Sequence, residues 1–144
     1  QWATHPNPRE KASFLKENIL PIQQSGQLNF IDKNAKELLG FDIFLMNGHT
    51  EKQMLPKITY QDKTIVFMAD LLPTVGHIPL PYVMGYDTRP LLTIQEKSDF
   101  LTEAANHNYY LFLEHDAAHE ICTVQFTEKG IRIKENHTFT DLFN

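Results

Sequence analysis

Three of the chain's strongest strand candidates run directly into a residue that can bind a metal ion. His49 follows IFLMNG, Asp70 follows TIVFMA and His115 follows YLFLE. Short runs rich in β-branched and aromatic residues, bounded by turn formers, read as strands. Side chains at strand ends stand on rigid elements and can converge on one rim of a sheet. Two imidazoles and a carboxylate are donors suited to zinc and similar divalent ions. A second reading stays open at this stage. A histidine after a strand is also a common turn residue, and an aspartate there often caps the next turn. On that reading the chain is a non-catalytic ligand-binding or interaction domain, and the three side chains scatter over separate edges instead of sharing a cleft.

The rest of the chain supplies a frame for these strands. PNPRE places an N-cap candidate, Asn7, before Pro8 and Glu10, a capping box that predicts a first helix with Ala12, Phe14 and Leu15 inward and Pro21 as its stop. QLNFIDKNAKELLGFDIFLMN predicts two or three short strands or turns, with Ile43 to Met46 the most strand-like. MLPKITYQDKTIVFMAD predicts a hairpin turning at Gln61-Asp62-Lys63. A second helix is expected to start at a Thr93 cap with Glu96 closing the box, and to present Phe100, Leu101, Ala104 and Ala105 at helical spacing. YYLFLEHD reads as a strand covered on both faces. EICTVQFTEKGIRIKE reads as two strands around Glu128-Lys129-Gly130.

Composition removes several classes of function. A length of 144 residues suffices for one domain with a real core. The formal charge of -5, with no Lys/Arg cluster, argues against a nucleic-acid partner. No apolar run approaches the length of a membrane span and the start has no signal-peptide pattern, so the expectation is a cytoplasmic protein with no membrane partner. The single cysteine, Cys122, excludes an internal disulfide and sits in a strand pattern as a small buried hydrophobe. His115 and His119 stand four apart in HDAAH, yet the segment precedes a strand and lacks the glutamate of H-E-x-x-H. His77 and the pair Tyr86-Asp87 lie in the proline-rich stretch after Asp70. His77 and Tyr86 are therefore substrate-pocket candidates, Tyr86 as a hydrogen-bond donor to a substrate carbonyl.

NGHTEKQM, FMADLLPT and FLEHD, in that order and spacing, resemble the later motifs of the metallo-β-lactamase-fold metallohydrolases. DLLPTVGHIPLPYVMGYD and PNPREKASFLKEN look most like the branch holding lactonase-like and organophosphate-hydrolase-like proteins. The resemblance implies an α+β fold of αββα type and a dinuclear metal-dependent hydrolase acting on an ester, lactone or amide. It implies that His49 completes the ligand set of the first ion, that Asp70 bridges two divalent ions and serves the catalytic step, and that His115 binds the second. Zinc is the expected metal. Three positions depart from the pattern: Lys52 and Gln53 replace the glycine and second histidine of G-H-T-x-G-H, and Pro73 stands where small lactonases carry a tyrosine.

The signature H-x-H-x-D-H of the first half of that fold appears nowhere in the chain. Residues 1–144, which open on QWATHPNPRE without a methionine, are therefore expected to be the C-terminal half alone, a mainly antiparallel sheet flanked by helices. Such a half leaves one sheet face apolar and uncovered. It is expected to pair with the missing N-terminal half or with a second copy as a homodimer. Three donors fall short of the four of a closed tetrahedral site, so this fragment alone is expected to be metal-poor, with no bound ion in the limit, and inactive towards the parent's small-molecule substrate.

Overall fold

The computed structural model describes residues 3–31, 35–38 and 40–144. Contacts divide the chain into two compact units, Gln1–Asp32 and Lys33–Asn144.

The first unit starts its helix later than the capping pattern suggests. Asn7 Oδ1 does accept from the backbone of Arg9 and Glu10, at 2.9 and 3.1 Å, and its Nδ2 donates to Glu10 Oε2 at 2.8 Å. These bonds close a tight turn that leads into a 3-10 turn, Lys11–Ser13. Phe14 and Leu15 are extended and interrupt the helical path, so α1 runs from Lys16 to Gln24. Because of that break, Ala12 and Leu15 are exposed and Phe14 is only half-buried. Pro21 lies inside α1 instead of ending it. The ring removes a single hydrogen-bond donor, and a short exposed helix can bend around that loss.

In the second unit the described residues form one seven-stranded sheet whose strands follow chain order. They are β1 (Ala35–Leu38), β2 (Phe41–Met46), β3 (Gln53–Tyr60), β4 (Lys63–Phe67), β5 (Tyr110–Phe112), β6 (Ile121–Thr127) and β7 (Gly130–His137). Neighbours are antiparallel except β4 and β5, which run parallel with Ile65, Val66 and Phe67 opposite Tyr110, Leu111 and Phe112. A parallel pair needs a long crossover, and here it contains the proline-rich segment and helix α2 (Pro90–His107). The β3–β4 hairpin is tighter than its sequence implied. Gln61 and Asp62 alone form the loop, with φ of 46° and 66°, the left-handed pair that suits the twist of the flanking strands. A short helix, α3 (Phe139–Phe143), follows β7 and opens on a capping box between Thr138 and Asp141.

Helix α2 begins at Pro90, with Arg89 at the cap position, and not at Thr93. Proline's fixed φ suits the first helical position, which moves Thr93 and Glu96 inside the helix and frees Glu96 for another task. The buried stripe is Thr93, Lys97, Phe100, Leu101 and Ala104. Asn108 ends the helix in the left-handed region at φ 53°.

That stripe covers one face of the sheet, where Leu55, Val66, Leu111, Cys122 and Val124 are all at most 1% exposed. Cys122 is a core residue as expected, and burial pushes its thiol up to about 12, which removes it as a nucleophile. The opposite face is also apolar and has far less cover. Ile43 and Ile121 are buried there, but Leu45, Pro56, Ile65, Phe67, Tyr110 and Phe112 are only half-buried. Met54, Ile58 and Tyr60 are exposed. Strand β5 is therefore covered on one side only: Leu111 is fully buried, while its neighbours line the open face beside Ile65 and Phe67. Phe67 and Phe112 stack there with ring centroids 5.8 Å apart.

Monomers seldom expose contiguous apolar patches beyond a few hundred Å². The isolated chain is expected to raise ANS fluorescence in its folded state, and Phe67→Glu on the open face to reduce that signal without unfolding the protein. A folded chain that leaves the dye dark contradicts this.

Candidate metal centre

His49 follows β2 in a turn held from several sides. The Glu96 carboxylate of α2 accepts from the backbone N–H of Asn47 at 2.8 and 3.0 Å and of Gly48 at 2.9 Å. Arg89 donates from Nε to the Asn47 carbonyl at 2.9 Å and from its backbone N–H to that of Gly48 at 2.9 Å. Thr88 Oγ1 donates to the His49 carbonyl at 2.8 Å. Gly48 is required by proximity, because a Cβ there would overlap the backbone and side chain of Thr93.

The His49 ring is oriented by a residue 38 positions away. Nδ1 lies 2.9 Å from Asp87 Oδ1, and the Asp87 side chain is wholly buried. A carboxylate only accepts, so this contact calls for a proton on Nδ1 and leaves Nε2 facing the rim. That Nε2 stands 3.5 Å from Asp70 Oδ2.

Asp70 leaves the sheet where β4 ends. Met68 still donates to the Phe112 carbonyl at 3.0 Å, and Met68, Leu71 and Leu72 are buried around it. Between them Ala69 takes a φ of +44°, a conformation that costs a non-glycine residue about 1 kcal/mol or more. The turn aims the carboxylate along the rim. Its Oδ1 lies 3.1 Å from His115 Nε2, and the Gln53 amide reaches its Oδ2 at 3.5 Å.

His115 occupies a bend after β5. The next residue, Asp116, is the anchor of that bend. Its Oδ2 accepts from the backbone of Val75 at 3.0 Å, and its Oδ1 accepts from Ala118 and His119 N–H at 3.0 and 3.1 Å. Burial opposes this charge, but the hydrogen bonds outweigh it and bring the carboxyl down to about 2. Asp116 thereby ties the loop carrying Asp70 to the loop carrying His115. His119, four residues from His115, places its Nδ1 3.1 Å from the Asp116 carboxylate.

His49, Asp70 and His115 thus meet at one rim of the sheet. His77 and Tyr86 are placed differently. His77 Nδ1 bonds to Thr74 Oγ1 at 2.8 Å, and burial, followed by the charge of Lys97, lowers the pKa of its ring. Tyr86 is 77% exposed, immediately before Asp87.

Besides Asp116 and Arg89, four further residues with roles here are not singled out by the sequence pattern. In the sequence Asp87 is only the neighbour of Tyr86, and Glu96 only a helix-cap partner. Lys97 lies on the buried stripe of α2 and is 1% exposed. Its ammonium donates to the carbonyls of His77, Pro79 and Tyr82 at 2.8, 3.3 and 2.5 Å, three donors for three acceptors along the proline-rich segment. Burial pushes it down to about 8, against the opposing pull of the Asp87 charge. Glu114 lies inside the FLEHD motif, and its Oε1 stands 3.2 Å from His115 Nε2. One donor atom each from Asp70, Glu114 and His115 fall within 4.8 Å of one another.

This donor chemistry fits a divalent ion. Two donors each about 2.1 Å from a tetrahedral ion stand roughly 3.4 Å apart, and the contacts between Asp70 and the two imidazoles are 3.5 and 3.1 Å.

The fold is half of a metallo-β-lactamase-type sandwich. A probable metal-dependent hydrolase from Staphylococcus aureus superposes over 95% of this chain with a TM-score of 0.75 at 22% identity. A dizinc quorum-quenching lactonase in complex with a homoserine product covers 96% with a TM-score of 0.69 at 20% identity. A hydrolase described as belonging to the β-lactamase superfamily covers 94% with the same TM-score at 18% identity. The chain spans about half the length of these proteins, 50%, 52% and 50% respectively. No protein-family model matches the chain, and no curated protein matches it by sequence. Among the described residues no helix is long and apolar enough to cross a membrane.

Replacing the partner that orients a ligating histidine weakens metal binding by about 10–100-fold. In the full gene product, Asp87→Asn is expected to weaken binding of zinc or manganese at the His49 position by that factor in calorimetric titration. An unchanged affinity removes Asp87 from the site.

Proposed function

We propose that this chain forms the second half of a dinuclear metal-dependent hydrolase acting on an ester, lactone or amide. The observation that carries the reading is the Asp70 carboxylate, with one oxygen directed at the His49 imidazole and the other at that of His115. A carboxylate that faces two nitrogen donors from opposite oxygens suits a bridge between two cations, and a lone structural ion pair has no need of the second imidazole. His49 and Asp70 Oδ2 would hold the first ion together with donors from outside this chain, and Asp70 Oδ1 and His115 the second. Zinc is the metal the dizinc neighbour favours. Divalent ions so placed supply Lewis-acid polarisation of a carbonyl and activate water at neutral pH.

The chain's own residues do the positioning. Asp87 fixes the tautomer of His49, and Glu96 and Arg89 fix its backbone. Gln53 donates to the carboxylate oxygen on the His49 side, the position where the family pattern has a histidine. Lys97 shapes the proline-rich segment into a wall beside Asp87. His77 and Tyr86 lie on that segment away from the three donors, and would meet only a substrate that extends beyond the rim. The open sheet face, built from Leu45, Met54, Ile58 and Phe67 among others, supports docking of a complementary sheet that brings the remaining donors. A second copy of the chain would cover that face without them, because the chain has no H-x-H-x-D-H.

The test is hydrolysis of a panel of esters, lactones and amides by the full gene product that contains this chain, loaded with zinc. Turnover is expected to vanish on chelation. It is also expected to fall at least about 100-fold in kcat/KM in Asp70→Asn and in His115→Ala, since each removes a ligand outright. Turnover that survives both substitutions overturns the proposal.

A further inference from the structure

Glu114 belongs to no expectation drawn above, yet its placement changes what the rim can hold. In an extended strand, Glu114 and His115 would point to opposite faces. The bend after β5 brings them together instead, with Glu114 Oε1 3.2 Å from His115 Nε2. Asp70 Oδ1 approaches the same nitrogen at 3.1 Å. Both separations match the edge of a tetrahedral donor set, roughly 3.4 Å. The three donor atoms fall within 4.8 Å of one another, a group that does not include His49. The rim is therefore asymmetric: the His49 position has two donors from this chain, and the His115 position has three.

We propose that Glu114 is a metal ligand, and that Asp70, Glu114 and His115 together form a three-donor site at which this chain alone binds one divalent cation. The inference rests on the metal reading of the rim and adds a ligand to it. Three protein donors with open positions are the pattern of an exchangeable site that keeps water on the ion. Glu114 and His115 are 34% and 51% exposed at their side chains, which gives an ion a path in. Two carboxylates to one imidazole make this a harder site than a histidine-rich one, and such oxygen-rich sets suit manganese as well as zinc. The Asp116 anchor supports the arrangement from behind. With its four hydrogen bonds it fixes the bend that lets consecutive side chains share one ion.

The experiment is calorimetric titration of the isolated chain with Zn²⁺ and Mn²⁺, with folding of each variant checked by circular dichroism. The variants are Glu114→Gln, Asp70→Asn, and Glu51→Gln as an exposed acidic control. The expected result is one ion per chain. Glu114→Gln is expected to raise Kd at least tenfold for both metals, and more for Mn²⁺ than for Zn²⁺, while Glu51→Gln leaves it unchanged. If Asp70→Asn loses the ion and Glu114→Gln binds like the original chain, the ligand assignment is overturned and the metal reading of the rim stands. If the original chain binds no ion, the three-donor site is overturned, and hydrolysis by the full gene product decides the wider reading separately.

Discussion

The Asp70 carboxylate stands between two imidazole nitrogens, 3.5 Å from one and 3.1 Å from the other, and much of the surrounding structure fixes its place. The turn that delivers it passes through a left-handed alanine, Ala69. Buried Met68 and Leu71 on either side leave that turn little room to relax. A strained residue held by well-packed neighbours is a common way to aim a functional side chain. The same carboxylate sits where the one parallel strand pair of the sheet ends, so its neighbour across the rim, His115, arrives from a segment far along the chain.

Helix α2 connects the core to the rim. Its inner stripe buries Phe100, Leu101 and Ala104 against the sheet. Two charged residues near its start act on the site. Glu96 closes the turn that carries His49, and Lys97 fastens the proline-rich segment through three carbonyls. A buried charged residue is destabilising unless its partners are complete, and Lys97 meets that condition with three carbonyl acceptors. Packing and site geometry are therefore coupled through one helix, and a change that shifted α2 on the sheet would also move His49.

Much of this was legible in the chain. The three strand ends, both hairpins and the core position of Cys122 follow from short-range patterns of apolar residues and turn formers, which act over a few residues. The histidines and the aspartate at the strand ends mark the rim by position alone. What the sequence concealed depends on long-range contact. Asp87 meets His49 across 38 residues, and Glu96 satisfies N–H groups 48 and 49 residues away. Locally each looks like a turn residue or a helix cap. Glu114 was hidden for another reason: it reads as part of a strand, and only the bend turns it towards His115. The first helix starts later than its capping box implies because the extended pair Phe14-Leu15 interrupts the helical path, an outcome no local pattern announces.

The two sides of the rim carry unequal donor sets, and the sheet carries unequal faces. Both asymmetries fit the proposed reading of a chain that supplies one half of a larger site: one face closed by α2, the other apolar and open; one candidate metal position with three donors from this chain, the other with two. The most direct test is anomalous diffraction from crystals of the chain soaked in zinc or manganese, recorded on both sides of the metal's absorption edge. The account predicts a peak within bonding distance of Asp70 Oδ1 and His115 Nε2. A rim without a peak, in crystals that bind the metal at exposed histidines such as His5 or His107, contradicts it.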